Sequence, residues 1–600
     1  MTLLLDGKLN DEQKKVILND NSVLLIACPG SGKTRTLTYK IAYEINNLKS
    51  IREFIIAITY TNRAAEEIKE RLDKIGIDTK QLWIGTIHSF SLEWIVRPYH
   101  NCIDELKFGF SILNSHESEV LITQLCKENY GKSISYYDCG FFVTPRGYRL
   151  SCLEKEKHYM IEDVLRKYFD ILKDSRQVDF EQILYYAYQI LDKNPIIANT
   201  LKDIIKFILI DEYQDTKEIQ YHIIAKILNA GKGLSRVFIV GDPNQSIYST
   251  LGGFPMEKEE LEKIFGFNLC EYSLENNYRS SQKMISYFEN FKVYESTIRA
   301  EGDLKLYSSK ITYNLSLSKE EVVNEIVRLI KFNLDDECIT ANEICVVAPQ
   351  WIHLGSITRQ LTSRLPDCSF DGPGLVPFSR DIDNFWYKVA RLVLSEPSPN
   401  FYIRRLRWAN DIIKELEVVG YSLDGLTKKR LLKIINSIVI NESDGLKHLE
   451  LFFGELCGFL NLNIDSYSSI KNHYISFFES SKARIERLKK EGADFISDIS
   501  SFRRAFKPRE GITISTIHGT KGEEYDTVIG FALLNDYLPH FKDKNGDENS
   551  NKLLYVMSSR ARKNLHLISE RGRGVNYYNP SGKSPTPNLV GYDFEYDVID

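Results

Sequence analysis

No stretch of this sequence stays apolar for the roughly 20 residues that a helix needs to cross a bilayer, so no membrane span is predicted. The N-terminus, MTLLLDGKLNDEQKK, turns polar too early for a secretory leader. The ten cysteines include no Cys-x-x-Cys pair and no Cys/His cluster at metal-ligand spacing. A zinc site, an iron–sulfur site and a disulfide framework are therefore not expected, and the thiols read as those of a reduced, cytoplasmic chain. An excess of positive charge is also missing. With 77 Lys and Arg against 82 Asp and Glu the net charge is −5, which excludes a basic nucleic-acid coat but permits a local basic groove. There is no internal repeat and no low-complexity tract.

What is present is an ordinary globular composition, 43% hydrophobic and 26% charged, over 600 residues. That length exceeds one hydrophobic core and predicts several domains. Apolar, β-rich runs ending in polar clusters occur at Val23–Ala27, Phe54–Thr59, Phe207–Ile210 and Val237–Val240. Helical spacing follows the second run at Ala64, Ile68 and Leu72, and the third at Ile219, Ile223 and Ile227. A later set lies at Ile344–Ala348, Ile512–Thr516, Thr527–Phe531 and Asn564–Ile568. This rhythm predicts an α/β fold with two parallel-sheet units. Each unit is interrupted by a mainly helical insertion, and residues 573–600 read as a loose tail with a final apolar patch.

Ser22–Thr34, SVLLIACPGSGKT, reads as a strand entering a phosphate-binding loop. Small residues let backbone N–H groups approach phosphate oxygens, and the next helix adds its positive end. The predicted nucleotide contacts are Ala27, Cys28, Pro29, Gly30, Ser31, Gly32, Lys33, Thr34 and Arg35, with Ala27 where the pattern usually has its first glycine. Lys33 would reach the β/γ-phosphates and the Thr34 hydroxyl would hold Mg²⁺. In FILIDEYQDT the strand end projects Asp211, a second Mg²⁺ ligand, and Glu212, which can deprotonate an attacking water. In VFIVGDPNQSIY, Gln245 is placed to sense the γ-phosphate. Each of the last two segments alone is equally an ordinary strand–turn.

Taken together, these residues resemble the superfamily 1A helicases of the UvrD/Rep/PcrA type, in order from Leu9 to Ile568. Leu9-Asn10-x-x-Gln13 resembles the Q motif, Ile58–Ala65 motif Ia and Gly85–Phe90 motif Ib. DEYQDT resembles motif II, GDPNQSIY motif III and Leu274–Ser280 motif IV. Thr516–Tyr525 resembles motif V, and Tyr555–Ala561 motif VI. The resemblance implies two RecA-like domains with ATP between them. One comprises 1–92 and 203–280, with insertion 93–202; the other comprises 281–380 and 508–572, with a reduced insertion 381–507 and the tail 573–600.

It further implies that Gln13 reads adenine, Tyr278 stacks on it, Arg279 and Arg560 are arginine fingers, and Glu524 lies near the ribose and triphosphate. Tyr60 would stack on a base of single-stranded DNA, although a core role for this ring is also open. Thr61, Asn62, Thr86, His88, Tyr248 and His518 complete the implied DNA surface. The implied reaction is Mg²⁺-dependent ATP hydrolysis coupled to 3′–5′ movement on single-stranded or 3′-tailed duplex DNA. One departure is evident. Where the family has an aromatic-Arg-Gly pattern after motif III, this chain has Ser249-Thr250-Leu251-Gly252. That departure keeps a second reading open, a DNA-stimulated regulatory ATPase without productive unwinding. In size and architecture the chain also resembles the helicase subunit of the Gabija antiviral system, which works with an OLD-type nuclease. The mixed basic and aromatic segments at 401–408 and 502–507 read either as duplex contacts or, with better support, as amphipathic helices with solvated arginines.

Overall fold

The computed structural model describes every residue except 1–8, 231–234, 249–251, 374–375, 379–380, 382–383, 491–493, 508–509, 542, 544, 576–578 and 600. Residue contacts divide the chain into two units. The first draws on Met1–Leu113, Leu121–Val322 and Ile517–Asp600, and the second on Asn114–Val120 and Val323–Thr516.

The first unit begins with helix α1 (Asp11–Ile17), strand β1 (Val23–Ala27) and helix α2 (Lys33–Asn46). Strand β2 (Phe54–Ile58), helix α3 (Asn62–Lys74) and strand β3 (Leu82–Gly85) follow. After the insertion come β4 (Ile205–Ile210), α4 (Glu218–Ala230), β5 (Arg236–Gly241) and β6 (Cys270–Leu274). The six strands form one parallel sheet in the order β6-β1-β5-β4-β2-β3. Apart from Lys206 and Arg236 near their starts, its central strands are apolar because helices cover both faces. Phe207 and Leu209 of β4 enter the core under α2 and α3, whereas Ile208 and Ile210 enter the core beneath α4. Thr61 caps α3, its hydroxyl oxygen accepting the Ala64 amide at 3.2 Å.

The same unit holds a further parallel set, Ile311–Asn314 beside Ala561–Ile568 beside Tyr525–Gly530. The insertion is mainly helical as expected, but it also contains an antiparallel hairpin, Phe141–Thr144 with Gly147–Leu150, and a short parallel pair at 111–112 and 177–178. The final apolar patch of the tail is packed onto the unit. Tyr592, Phe594 and Tyr596 pack around Tyr287. The Asp597 carboxylate accepts from Lys283 at 2.7 Å and from the Ile311 amide at 2.6 Å, closing that strand's open edge.

In the second unit Ile344–Ala348 and Phe370–Asp371 flank Ile512–Thr516 in parallel. Helices including Tyr402–Val418 and Ser468–Lys490 enclose a separate core built on Trp386, Phe453 and Phe502. The mixed segment at 401–408 lies mostly in the first of these helices. The helix is as expected, but its arginines are not all solvated: Arg405 is buried, donating to Ser395 O at 2.6 Å and Asn436 Oδ1 at 2.7 Å. Among the described residues no helix is long and apolar enough to cross a membrane.

Candidate active site

The loop after β1 turns on Gly30 (φ +71°) and Gly32 (φ +79°), left-handed conformations that glycine adopts without strain. Gly32 caps α2, so the positive end of a 14-residue helix opens onto the loop. Lys33 and the half-buried Thr34 lie in its first turn, with Arg35 exposed beside them. A second segment clamps the loop. Asn277 Nδ2 donates to Pro29 O at 2.6 Å, Tyr278 N donates to Gly30 O at 2.9 Å, and Cys28 N donates to Leu274 O at 3.2 Å. A Cβ on Gly30 would stand 2.6 Å from the Arg279 Cβ, so this close approach requires glycine. Asn277 was not singled out from sequence as a site residue. Its only sequence signal is its place directly before Tyr278-Arg279.

Gln13 is buried against this loop, with Nε2 donating to Ser31 O at 2.8 Å and Oε1 accepting the Asn10 amide at 3.1 Å. Both ends of its amide are thus engaged by protein. Asn10 Nδ2 donates to the hydroxyl of the exposed Tyr278 at 2.8 Å.

The Lys33 ammonium pairs with Glu212 and lies 3.5 Å from Asp211. Burial disfavours its charge, but the two carboxylates prevail and hold it above the usual lysine range. Glu212 sits in a left-handed conformation (φ +53°), an uncommon and costly state for a non-glycine residue. Its Oε2 accepts from Gln214 Nε2 at 2.5 Å. Burial pushes Glu212 up, but Lys33 and then Lys521 outweigh it and hold the acid below its ordinary value. Asp211 moves the other way, raised by burial against the pull of Lys33.

Gln245 follows β5. Its Nε2 donates to Asp242 Oδ2 at 2.8 Å, and its Oε1 accepts from Arg560 Nη2 at 2.5 Å. Arg560 is buried and also donates to Val556 O at 3.1 Å and Glu523 O at 3.3 Å. Burial, reinforced by Arg279, lowers its pKa to about 10. Arg279 donates from Nε to Glu524 Oε2 at 2.7 Å and from Nη1 to Ser559 O at 2.8 Å. Glu524 is pushed up by burial, but Arg279 and Arg562 hold it below the ordinary glutamate range. Lys521, not singled out from sequence, forms a buried ion pair with Asp215 and donates to Gln245 O at 2.6 Å. The predicted catalytic residues are therefore gathered into one connected cluster within the first unit.

Beside that cluster, Tyr60 at the end of β2 stacks on Tyr248, with centroids 5.0 Å apart and planes at 26°. His518 lies 5.7 Å from Tyr248, and the Lys521 ammonium lies 5.3 Å from the same ring. Tyr60 is 38% exposed, so its ring is available at the surface. Thr86 caps a short helix through the Ser89 amide, Thr61 caps α3 and Asn62 is exposed. Burial lowers the His88 pKa to about 4 and lowers that of His518 as well, so neither adds positive charge near neutral pH. Ser249, Thr250 and Leu251 lie outside the described residues.

Residues 9–265 match the family described as the UvrD/REP helicase N-terminal domain, and residues 464–572 match the UvrD-like helicase C-terminal domain. The chain is 26% identical over 637 aligned positions to the ATP-dependent DNA helicase Rep of Buchnera aphidicola subsp. Schizaphis graminum, covering 93% of this chain and 92% of that protein. It is 34% identical over 300 positions to the DNA helicase II of Haemophilus influenzae, covering 47% of this chain and 40% of that protein. It is 30% identical over 294 positions to the ATP-dependent DNA helicase PcrA of Bacillus subtilis, with 47% and 39% covered. With both domain families matched in chain order around a phosphate loop, on a parallel α/β fold of the RecA-like class, the chain belongs to the UvrD/Rep family of superfamily 1A helicases.

Proposed function

We propose that this protein hydrolyses Mg-ATP to drive 3′–5′ movement along single-stranded DNA and to open 3′-tailed duplexes. The observation that carries this reading is that Lys33 pairs with Glu212, while Lys521 pairs with Asp215 in the same acidic turn, donates to Gln245 O and lies against the Tyr248 ring that stacks on Tyr60. Lys521 thereby joins the turn that carries Glu212 to a base-sized aromatic surface. The nucleotide site would be formed by the residue 27–35 loop, with Tyr278 beside the base. We keep the division into 1–92 with 203–280, 93–202, 281–380 with 508–572, 381–507 and 573–600 as the domain scheme that accompanies this reading.

The chemistry follows from the charges. A triphosphate draws the Lys33 ammonium away from Glu212 and releases that carboxylate. Withdrawal of Lys33 leaves Lys521 as the remaining opposing cation and lets burial raise the affinity of Glu212 for a proton, as a general base requires. Glu212 takes a proton from water, the water oxygen bonds to Pγ, and the bond from Pγ to the β-bridging oxygen breaks to leave ADP. Arg279 and Arg560 offset the charge on the transferring phosphoryl group, with Gln245 holding the Arg560 fork. Thr34 and Asp211 would hold Mg²⁺, which neutralises phosphate charge when bound. A hydroxyl and one carboxylate suit an ion that takes its remaining oxygens from phosphate and water. Among the described residues no group of three or more His, Cys, Asp or Glu could hold a metal ion.

The sequence Ser249-Thr250-Leu251 favours one alternative, a DNA-stimulated regulatory ATPase that partners an OLD-type nuclease. Strand displacement separates the two. The motor reading expects ATP turnover stimulated by single-stranded DNA and displacement from 3′-tailed but not 5′-tailed duplexes. Stimulated turnover with no displacement on either substrate selects the regulatory ATPase, and turnover indifferent to DNA refutes both.

A further inference from the structure

The hairpin at 141–150 carries an aromatic–arginine pair outside all the motifs above. Its register sets Phe142 opposite Arg149 and Val143 opposite Tyr148, and successive side chains alternate between faces. One face is anchored, with Phe141 and Tyr148 packing on Phe169 at centroid distances of 5.3 and 5.5 Å. The other face presents Phe142 beside Arg149 as cross-strand neighbours.

That second face meets the turn that follows Tyr248. A Cβ on Gly252 (φ +86°) would fall 2.8 Å from Phe142 Cδ2 and 3.0 Å from its Cγ, so the half-buried ring rests against bare backbone. Gly253 N donates to Tyr248 O at 3.3 Å. Gly252, which meets Phe142, therefore adjoins the residue bonded to Tyr248. The hairpin is tied in place, since Glu181 Oε2 accepts the Val143 amide at 2.9 Å. Glu181 also pairs with Lys217, whose backbone bridges Gly253. Arg149 is exposed, as is Arg146 at the hairpin tip, and neither has an ion-pair partner among the described residues.

We infer that this hairpin supplies, from a separate segment, the stacking ring and cation that residues 249–251 lack. Phe142 stacks on a base and Arg149 pairs with a phosphate of single-stranded DNA that continues from the Tyr60–Tyr248 rings. The inference rests on the DNA reading above. Every base has a π-face, so a ring at this place binds without sequence preference, and a guanidinium without a carboxylate partner is free for a phosphate oxygen. A purely packing role for Phe142 needs only apolar contact with Gly252, and leucine would satisfy it.

The test is fluorescence anisotropy of the full chain with a labelled oligothymidylate across a KCl series, with melting temperature measured on each variant. Phe142→Leu keeps the apolar contact and removes the π-face. It should weaken binding roughly tenfold, whereas Phe142→Trp should bind like wild type. Arg149→Gln should reduce the slope of log affinity against log salt by about 0.7, the value for one phosphate on a single strand. Wild-type affinity in Phe142→Leu, with an unchanged slope in Arg149→Gln, overturns the inference and leaves the hairpin a packing element. Failure of the wild-type chain to bind the oligonucleotide at all overturns the DNA reading itself, a separable outcome.

Discussion

Replacing Lys521 by Met should destabilise the first unit in a strongly pH-dependent way. Lys521 and Asp215 are 8% and 0% exposed, and the second carboxylate oxygen of Asp215 is buried with no hydrogen-bond partner among the described residues. The ammonium is thus the main compensation for a buried negative charge. Burial raises Asp215 to about 6, Lys521 opposing and the nearby Glu212 adding to the shift, with Lys33 a smaller opposing charge. An unfolded aspartate titrates near about 3.9, so between about pH 4 and pH 6 the folded chain holds the proton that the unfolded chain has lost. Stability from this group is therefore present at low pH and is lost as pH rises through that window.

Without Lys521 the folded pKa of Asp215 rises further and the loss extends to higher pH. Each added unit costs about 1.4 kcal/mol, toward the ~3–5 kcal/mol expected when one half of a buried pair is removed. At pH 5 Asp215 is mostly protonated in both proteins, and the difference should shrink to the lost bond to Gln245 O, about 1 kcal/mol. Thermal melting of wild type, Lys521→Met and Lys521→Met/Asp215→Asn at pH 5, 6, 7 and 8 reads this out. A gap of several degrees at pH 8 should narrow at pH 5, and the second substitution should recover much of it at pH 8. A gap equal at pH 5 and pH 8, or a double variant less stable than Lys521→Met, would refute the reasoning.

Three further outcomes are expected. Glu212→Gln should retain ATP binding while turnover falls by roughly 10²–10⁴, because an amide of the same shape cannot accept the water proton; loss of nucleotide binding, read by equilibrium titration, would instead give Glu212 a structural role. Arg560→Ala should lower kcat by roughly 10³–10⁵ with a much smaller change in ATP affinity. Steady-state kinetics with affinity and kcat falling in parallel would count against a transition-state role. Tyr60→Ala should raise the concentration of single-stranded DNA needed for half-maximal ATPase stimulation roughly tenfold, and a wild-type stimulation curve would assign this ring to the packing of Tyr248 alone.

Much of the protein is legible locally. Val23–Ala27 and Ile344–Ala348 are strands with the bounds that their apolar runs predict, because a strand covered on both faces is apolar along its length. The phosphate loop is legible for a similar reason, its glycines and Lys33 being adjacent in the chain. Edge strands are not. Cys270–Leu274 and Ile311–Asn314 alternate polar and apolar residues, and only their neighbours in the sheet and the returning tail make them strands. The final apolar patch is legible but its partner is not, because Tyr592, Phe594 and Tyr596 find Tyr287 some three hundred residues away.

What the sequence determined by itself is the order of its motifs, the α/β rhythm, and the residue types able to hold phosphate, polarise water and stack on a base. Those depend on short-range pattern and on side-chain chemistry alone. Only the tertiary structure decided which of them meet. It brought Arg560 to Gln245 across 315 positions, set Lys521 on Asp215 across 306, clamped Gly30 with Asn277, and laid Phe142 against Gly252. Contacts at such separations have no local signature, because each is fixed by how separate sheets and helices pack and not by the residues beside it in the chain.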